Sequence, residues 1–252
     1  MNYKQLLAAA VMTGFAASAA AAPVVIAPFG DDGVGTGLQD VLNNITDGGV
    51  SSVNVNTDQL DDGMDSYWNI TASGGSVSTF VIEIAGNSSS NTFGVYDRSN
   101  PNNYVELFNG ADSDAVNSQV TLSRLLDGSI RVNGDTKGVF TSKDFGYYLG
   151  TENNQDNAPL FYSDSTLNTG GADQMVAFQG TDTDTVQIAG FESGLWTNNE
   201  FVLAWEDVLG GDQDFNDLVV MVESVLPVPE PGTLALLGLG LLGLGAARRR
   251  KA

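Results

Sequence analysis

Between Trp205 and Leu218 the chain reads Trp-Glu-Asp-Val-Leu-Gly-Gly-Asp-Gln-Asp-Phe-Asn-Asp-Leu, and side chains able to do chemistry crowd this stretch. Asp212, Asp214 and Asn216 fall at alternate positions, as in the first half of a calcium loop. Hard oxygen ligands on a glycine-containing turn suit Ca²⁺. Asp212, Asp214, Asn216 and Asp217 are therefore the candidate metal ligands, and Ca²⁺ the candidate ion. Glu223 stands eleven residues after Asp212, where an EF-hand places its bidentate ligand. Asp217, however, occupies the position of the glycine that such a loop needs for its sharp turn. Leu218 to Val222 also reads as a strand, which carries Glu223 too far away to close the loop. The stretch is not an EF-hand. Pure turn chemistry is the competing reading, because Asp and Asn bond nearby backbone amides and could simply lock a hairpin. A third reading, glycoside hydrolysis by two carboxylates, requires them to face a cleft.

Other chemistries are excluded by what the chain lacks. It contains no His and no Cys. Ser-His-Asp and Cys-His nucleophilic sites, zinc held by His or Cys, c-type haem attachment and disulfides are thereby ruled out. Gly238 to Gly243 spells G-x-G-x-x-G, but no strand precedes it and no acidic residue follows at the required distance. Gly33-Val34-Gly35-Thr36-Gly37 lacks the last glycine of that spacing, where Leu38 sits. No catalytic and no cofactor-binding residue is assigned, and the chain is expected not to be an enzyme. The balance of 31 acids against 10 bases disfavours nucleic acid and anionic lipid as partners.

The elements that must position the acidic stretch read mostly as strands. Leu38, Val41, Leu42 and Ile45 recur at helical spacing behind Thr36, a candidate cap, and Gly48-Gly49 closes this single short helix. Ser51 to Asn56 alternates weakly. Strand patterns follow at Thr79–Ala85, Thr92–Tyr96, Tyr104–Phe108, Val116–Leu126, Ile130–Val132 and Val139–Thr141. Further ones lie at Tyr147–Leu149, Leu160–Tyr162, Val176–Phe178, Val186–Ile188, Phe201–Trp205 and Leu218–Val222. Asp127-Gly128 and Asn133-Gly134 are turn signals. Many short β-branched or aromatic runs with regular punctuation predict an all-β fold, an antiparallel β-sandwich with one short N-terminal helix. Trp68 and Trp196 are candidates for stacking on sugar rings.

Both ends read as targeting segments. Lys4, the apolar run Leu6 to Ala17 and the small residues through Ala22 form a secretory signal. At the other end, Val228-Pro229-Glu230-Pro231 cannot continue a strand ladder. Thr233 to Ala247 is 15 residues of apolar or small side chains, followed by Arg248-Arg249-Arg250-Lys251. As a helix that run is about 22 Å long, short for a hydrocarbon core of about 30 Å. The basic end should stay cytoplasmic.

This order of elements resembles the PEP-CTERM sorting signal of Gram-negative bacteria. The resemblance implies export through the Sec machinery, transient inner-membrane insertion and recognition by an exosortase, a membrane transpeptidase. Processing would fall at Val228, Pro229, Glu230 and Pro231 and leave the protein extracellular or at the cell surface. The acidic stretch, with Phe145 to Leu149, Phe161 to Ser163 and Asp173 to Phe178, resembles domain-of-unknown-function family 4114 over residues 140–225. Many relatives carry His where Gln174 stands. That family's frequent place in secreted, calcium-rich proteins adds to the case for Ca²⁺. The expected organisation is a signal peptide at 1–22, a β-sandwich domain at 23–226 and the sorting signal at 227–252. The expected role is a non-enzymatic component of the exopolysaccharide or biofilm matrix, with extracellular polysaccharide as a partner. The alternative is a calcium-dependent carbohydrate- or adhesion-type binding module.

Overall fold

A computed structural model describes residue 29 and residues 37–71, 76–81, 91–109, 119–151, 159–188 and 191–229. The signal peptide, Glu230, Pro231 and the apolar run from Thr233 lie outside the described residues. Among the described residues no helix is long and apolar enough to cross a membrane.

Helix α1 (Leu38–Ile45) buries Leu38, Val41, Leu42 and Ile45, the helical stripe that the sequence predicts. Its N-cap is Gly37 and not Thr36, and no side chain caps it. The helix stops before Gly48-Gly49, because Thr46 is already extended and bridges Val186. Ser51 to Asn56 is a loop, not a strand: Thr57 and Asp58 donate their N–H groups to Asn54 O, folding a turn. Val53 and Val55 are nevertheless buried against α1. A four-residue helix, α2 (Asp62–Asp65), leads into the sheets.

In chain order the strands are β1 (Trp68–Ile70), β2 (Ser76–Val81), β3 (Asn91–Asp97), β4 (Asn100–Asn109) and β5 (Gln119–Arg124). There follow β6 (Ser129–Val132), β7 (Asp135–Val139), β8 (Phe145–Thr151), β9 (Phe161–Tyr162) and β10 (Met175–Gln179). The last are β11 (Thr185–Val186), β12 (Gly194–Leu195), β13 (Glu200–Trp205), β14 (Leu218–Glu223) and β15 (Val225–Pro227). One sheet has the order β15-β1-β8-β3-β4, with β9 also on β8; the other runs β10-β13-β14-β2-β5-β6-β7. A separate small pair joins β11 to β12. The pairings are antiparallel, for example Trp205↔Leu218 between β13 and β14. Asn133-Gly134 turns β6 into β7 with both residues at positive φ (53° and 88°), as a two-residue hairpin of this kind requires. The expected strand Val139–Thr141 instead ends at Val139, and β1, β12 and β15 have no counterpart among the expected strands.

Two sheets packed face to face give the antiparallel sandwich. Phe201, Leu203 and Trp205 of β13 and Leu218, Val220 and Val222 of β14 point into the core between the sheets. The alternate residues, Val202, Ala204, Val219 and Met221, face outward, where α1 covers them. Burial on both faces explains why these two strands read as unbroken apolar runs. Trp68 and Trp196, considered above for sugar stacking, are both 0% exposed. Trp68 lies in the inter-sheet core with its ring 4.9 Å from that of Phe201. Trp196 lies in the outer layer and donates to Glu200 O at 3.1 Å.

The outer face of the first sheet is covered differently, by Tyr67, Tyr96 and Tyr148. Two of these rings lie across glycines on the neighbouring strand: Tyr96 is paired with Gly146, and Tyr148 with Gly94. A Cβ at Gly146 would overlap the Tyr96 ring. Gly146→Ala is therefore expected to destabilise the fold by about 1–3 kcal/mol, an overpacking cost measurable by urea denaturation.

Candidate metal centre

The connection from β13 to β14, Glu206 to Asp217, holds the acidic residues at one end of the second sheet. Glu206 continues the outward phase of Val202 and Ala204, so its side chain enters a buried layer and is only 2% exposed. Its N–H donates to Gln174 O at 3.0 Å. Gln174 returns its side-chain amide to Glu206 O and Val208 O, each at 3.3 Å. Gln174 thus ties the loop to the start of β10 through two carbonyls.

Farther along, Phe215 inserts into the outer layer, fully buried, with its ring 5.6 Å from Phe29. To bring it there, Gln213 and Phe215 both adopt positive φ (60° and 54°), unfavourable for side-chain-bearing residues and held by the surrounding burial. The Phe215 N–H then donates to Glu206 Oε1 at 2.8 Å. Glu206 Oε2 is buried with no hydrogen-bond partner. A Cβ at Gly211 would lie 2.7 Å from that oxygen, so the glycine keeps the space beside it clear.

Asp212 and Asp214 turn toward the same place. Carboxylate oxygens of Glu206, Asp212 and Asp214 all lie within 4.8 Å of one another. Asp214 is buried and Asp212 is exposed. Burial pushes the Glu206 carboxyl up to about 7; the Phe215 N–H opposes this, and Asp217, Asp214 and Asp212 reinforce it. Mutual repulsion and an unpartnered buried oxygen are what a cation between the three groups would relieve.

Of the four candidate ligands read from the sequence, Asp212 and Asp214 belong to this trio. Asn216 supports it from behind: its N–H and its side-chain amide both donate to the Asp214 carboxylate. Asp217 is engaged elsewhere, accepting the Asp207 N–H at 2.9 Å. Asn91 of β3 donates to Asp207 Oδ2 and Asp217 O, fastening the loop to the opposite sheet. Glu206 was not among the expected ligands. The signal that marks it is an acid placed in phase with the apolar outer face of its strand.

Another acidic group lies near α2. Asp65 is buried, and burial, then Asp173 and Asp62, raise its carboxyl well above the ordinary range. Asp173 is pushed up to about 7, first by burial and then by Asp62. A carboxyl with a raised value in the fold stabilises it while protonated, so this contribution is complete below about pH 4 and disappears as pH rises through about 7. Asp173→Asn is expected to raise the melting temperature at about pH 8 and to leave it unchanged at about pH 4, as calorimetry at the two pH values would show.

Residues 129–225, from β6 through β14 to the first residue of β15 and including the whole acidic loop, match the family model of a domain of unknown function, DUF4114. Residues 227–251 match the PEP-CTERM protein-sorting motif. The chain carries a DUF4114 domain and a PEP-CTERM sorting motif. No curated protein and no solved structure matches it. The sorting motif marks an exosortase-recognised protein that is exported to the cell surface or beyond. The DUF4114 match begins at residue 129, ahead of the expected 140. Its strands do not close the sandwich alone: β2 lies between β14 and β5, and β3 lies beside β8.

Proposed function

We propose that this exported protein is a non-enzymatic component of the exopolysaccharide or biofilm matrix, and that its sandwich is clamped by Ca²⁺ bound at Glu206, Asp212 and Asp214. The observation that carries the reading is Glu206 Oε2, buried and unpartnered, facing two further carboxylates. Hard oxygen donors on a turn are the ligand set of Ca²⁺, and loop carbonyls and water would complete its six to eight contacts. Carboxylates that converge on a loop suit a cation, whereas glycosidase carboxylates stand apart across a cleft. Before processing at Val228 to Pro231, the apolar run from Thr233 would hold the protein transiently in the inner membrane.

The role is tested by fractionating the host's extracellular material. The protein is expected to travel with polysaccharide in the presence of calcium and to leave it when calcium is chelated. A protein that stays soluble and free of polymer under both conditions contradicts the matrix role. A second reading, a calcium-dependent carbohydrate- or adhesion-type module, is favoured by the exposure of Asp212. An ion held at the surface keeps a side open to ligand hydroxyls.

A further inference from the structure

The outward face of the second sheet carries a recess at the Glu200–Glu223 end of β13 and β14, the end opposite the metal loop. Val186, Ile188, Leu195 and Met221 give it apolar walls, and Glu192, Glu200 and Glu223 add three carboxylates. Its volume is about 70 Å³ and it lies half open to solvent, so it is a shallow recess that a ligand would rest against, not a cavity that encloses one. Glu200 and Glu223 are direct cross-strand partners on β13 and β14. They share the outward phase of Val202 and Met221.

This pairing is unfavourable as it stands. Like charges directly opposite on neighbouring strands destabilise a sheet. Burial, then Glu200, pushes the Glu223 carboxyl up to about 7. Glu200 is held in place by the Thr197 N–H, which donates to Oε2 at 2.6 Å. Among the described residues no basic side chain pairs with either acid: the ion pairs are Arg98–Asp144 and Lys137–Asp135. A cationic group is therefore the missing complement, and the apolar walls ask that it be carried on a body with C–H surface.

We propose that this recess binds an amino sugar of an extracellular polysaccharide, with the free ammonium set against Glu200 and Glu223 and the ring on the apolar wall. The proposal rests on the matrix reading above and names the polymer class: a hexosamine chain with unacetylated nitrogens. An N-acetylated sugar has no charge to offer the pair. The charge match selects the ligand, and the apolar side of the recess offers a surface to the C–H face of the ring.

The test is a calorimetric titration of the processed protein, in calcium, with glucosamine oligomers and with N-acetylglucosamine oligomers of equal length. Glucosamine oligomers are expected to bind at least about tenfold more tightly, and Glu223→Gln to remove that preference. Glu223→Gln should also raise the melting temperature of the free protein, because it relieves the cross-strand repulsion; this confirms that the variant is folded. Equal binding of the two oligomers, a preference untouched by Glu223→Gln, or equally tight binding of a lysine peptide would overturn the proposal. Equal binding of both oligomers would leave the matrix role standing, while failure to fractionate with polymer would remove that role without reference to this recess.

Discussion

A chain truncated after Ser224 is expected to melt about 6 to 12 °C below one truncated after Pro229, and the latter to melt with the full processed protein. The difference comes from β15. Its three residues pair with β1, placing Val225 beside Ile70 and Pro227 beside Trp68. Val225 is completely buried and belongs to the inter-sheet core. Beyond the strand, the Val228 N–H donates to Tyr67 O at 2.7 Å, and Val228 packs against the tyrosine cluster. Burying one such aliphatic side chain is worth about 1.5–3 kcal/mol. With Val228 added, the loss is about 3 kcal/mol, and each kcal/mol shifts a domain of this size by about 2–4 °C. The sorting motif begins at residue 227, inside this strand, so the folded domain and the sorting signal share Pro227 and Val228. Thermal melting followed by circular dichroism compares the two truncations; equal midpoints would show that β15 contributes nothing.

In saturating calcium the protein is expected to melt about 5 to 10 °C higher than in chelator. Free ion at a hundredfold excess over its dissociation constant stabilises a fold by about 2.7 kcal/mol. With about 2–4 °C per kcal/mol, the shift follows. Glu206→Gln should abolish most of it while keeping the fold, because Gln still offers an oxygen to the Phe215 N–H. Without calcium this variant should be no less stable than the native protein, since it removes a buried charge that lacks compensation. Asp214→Ala should also lose the shift. Asp217→Asn should retain most of it, because that carboxylate accepts from the Asp207 N–H. The contrast between positions 206 and 217 separates the ligand set assembled by the fold from the one suggested by spacing alone.

Much of the sandwich is legible from periodicity. The stripe Leu38, Val41, Leu42 and Ile45 marks α1, and the apolar runs at 201–205 and 218–222 mark the two central strands. Asn133-Gly134 announces its hairpin because few other pairs accept two positive φ values. The short edge strand β15 escaped because a proline looks like a strand's end; at the edge of a sheet its missing N–H is tolerated. Val53 and Val55 alternate like a strand yet serve a loop that packs under α1, so burial alone made them look regular.

The site was half legible for a related reason. Acid spacing identified Asp212 and Asp214, which are close in sequence. Glu206 joins them only because two residues take positive φ and Phe215 anchors the loop, a backbone path that no spacing rule encodes. Asp217 follows the same alternating acids but is drawn toward Asp207 and Asn91. The opposition of Glu200 and Glu223 is set by strand register, which a single strand's pattern does not contain.

The proposed clamp requires that Glu206, Asp212 and Asp214 together bind Ca²⁺. Isothermal titration of calcium into the metal-stripped processed protein tests it most directly. One ion per chain is expected to bind at this centre, with its heat lost in Glu206→Gln and kept in Asp217→Asn. Absence of any binding heat, or binding that survives Glu206→Gln undiminished, would contradict it.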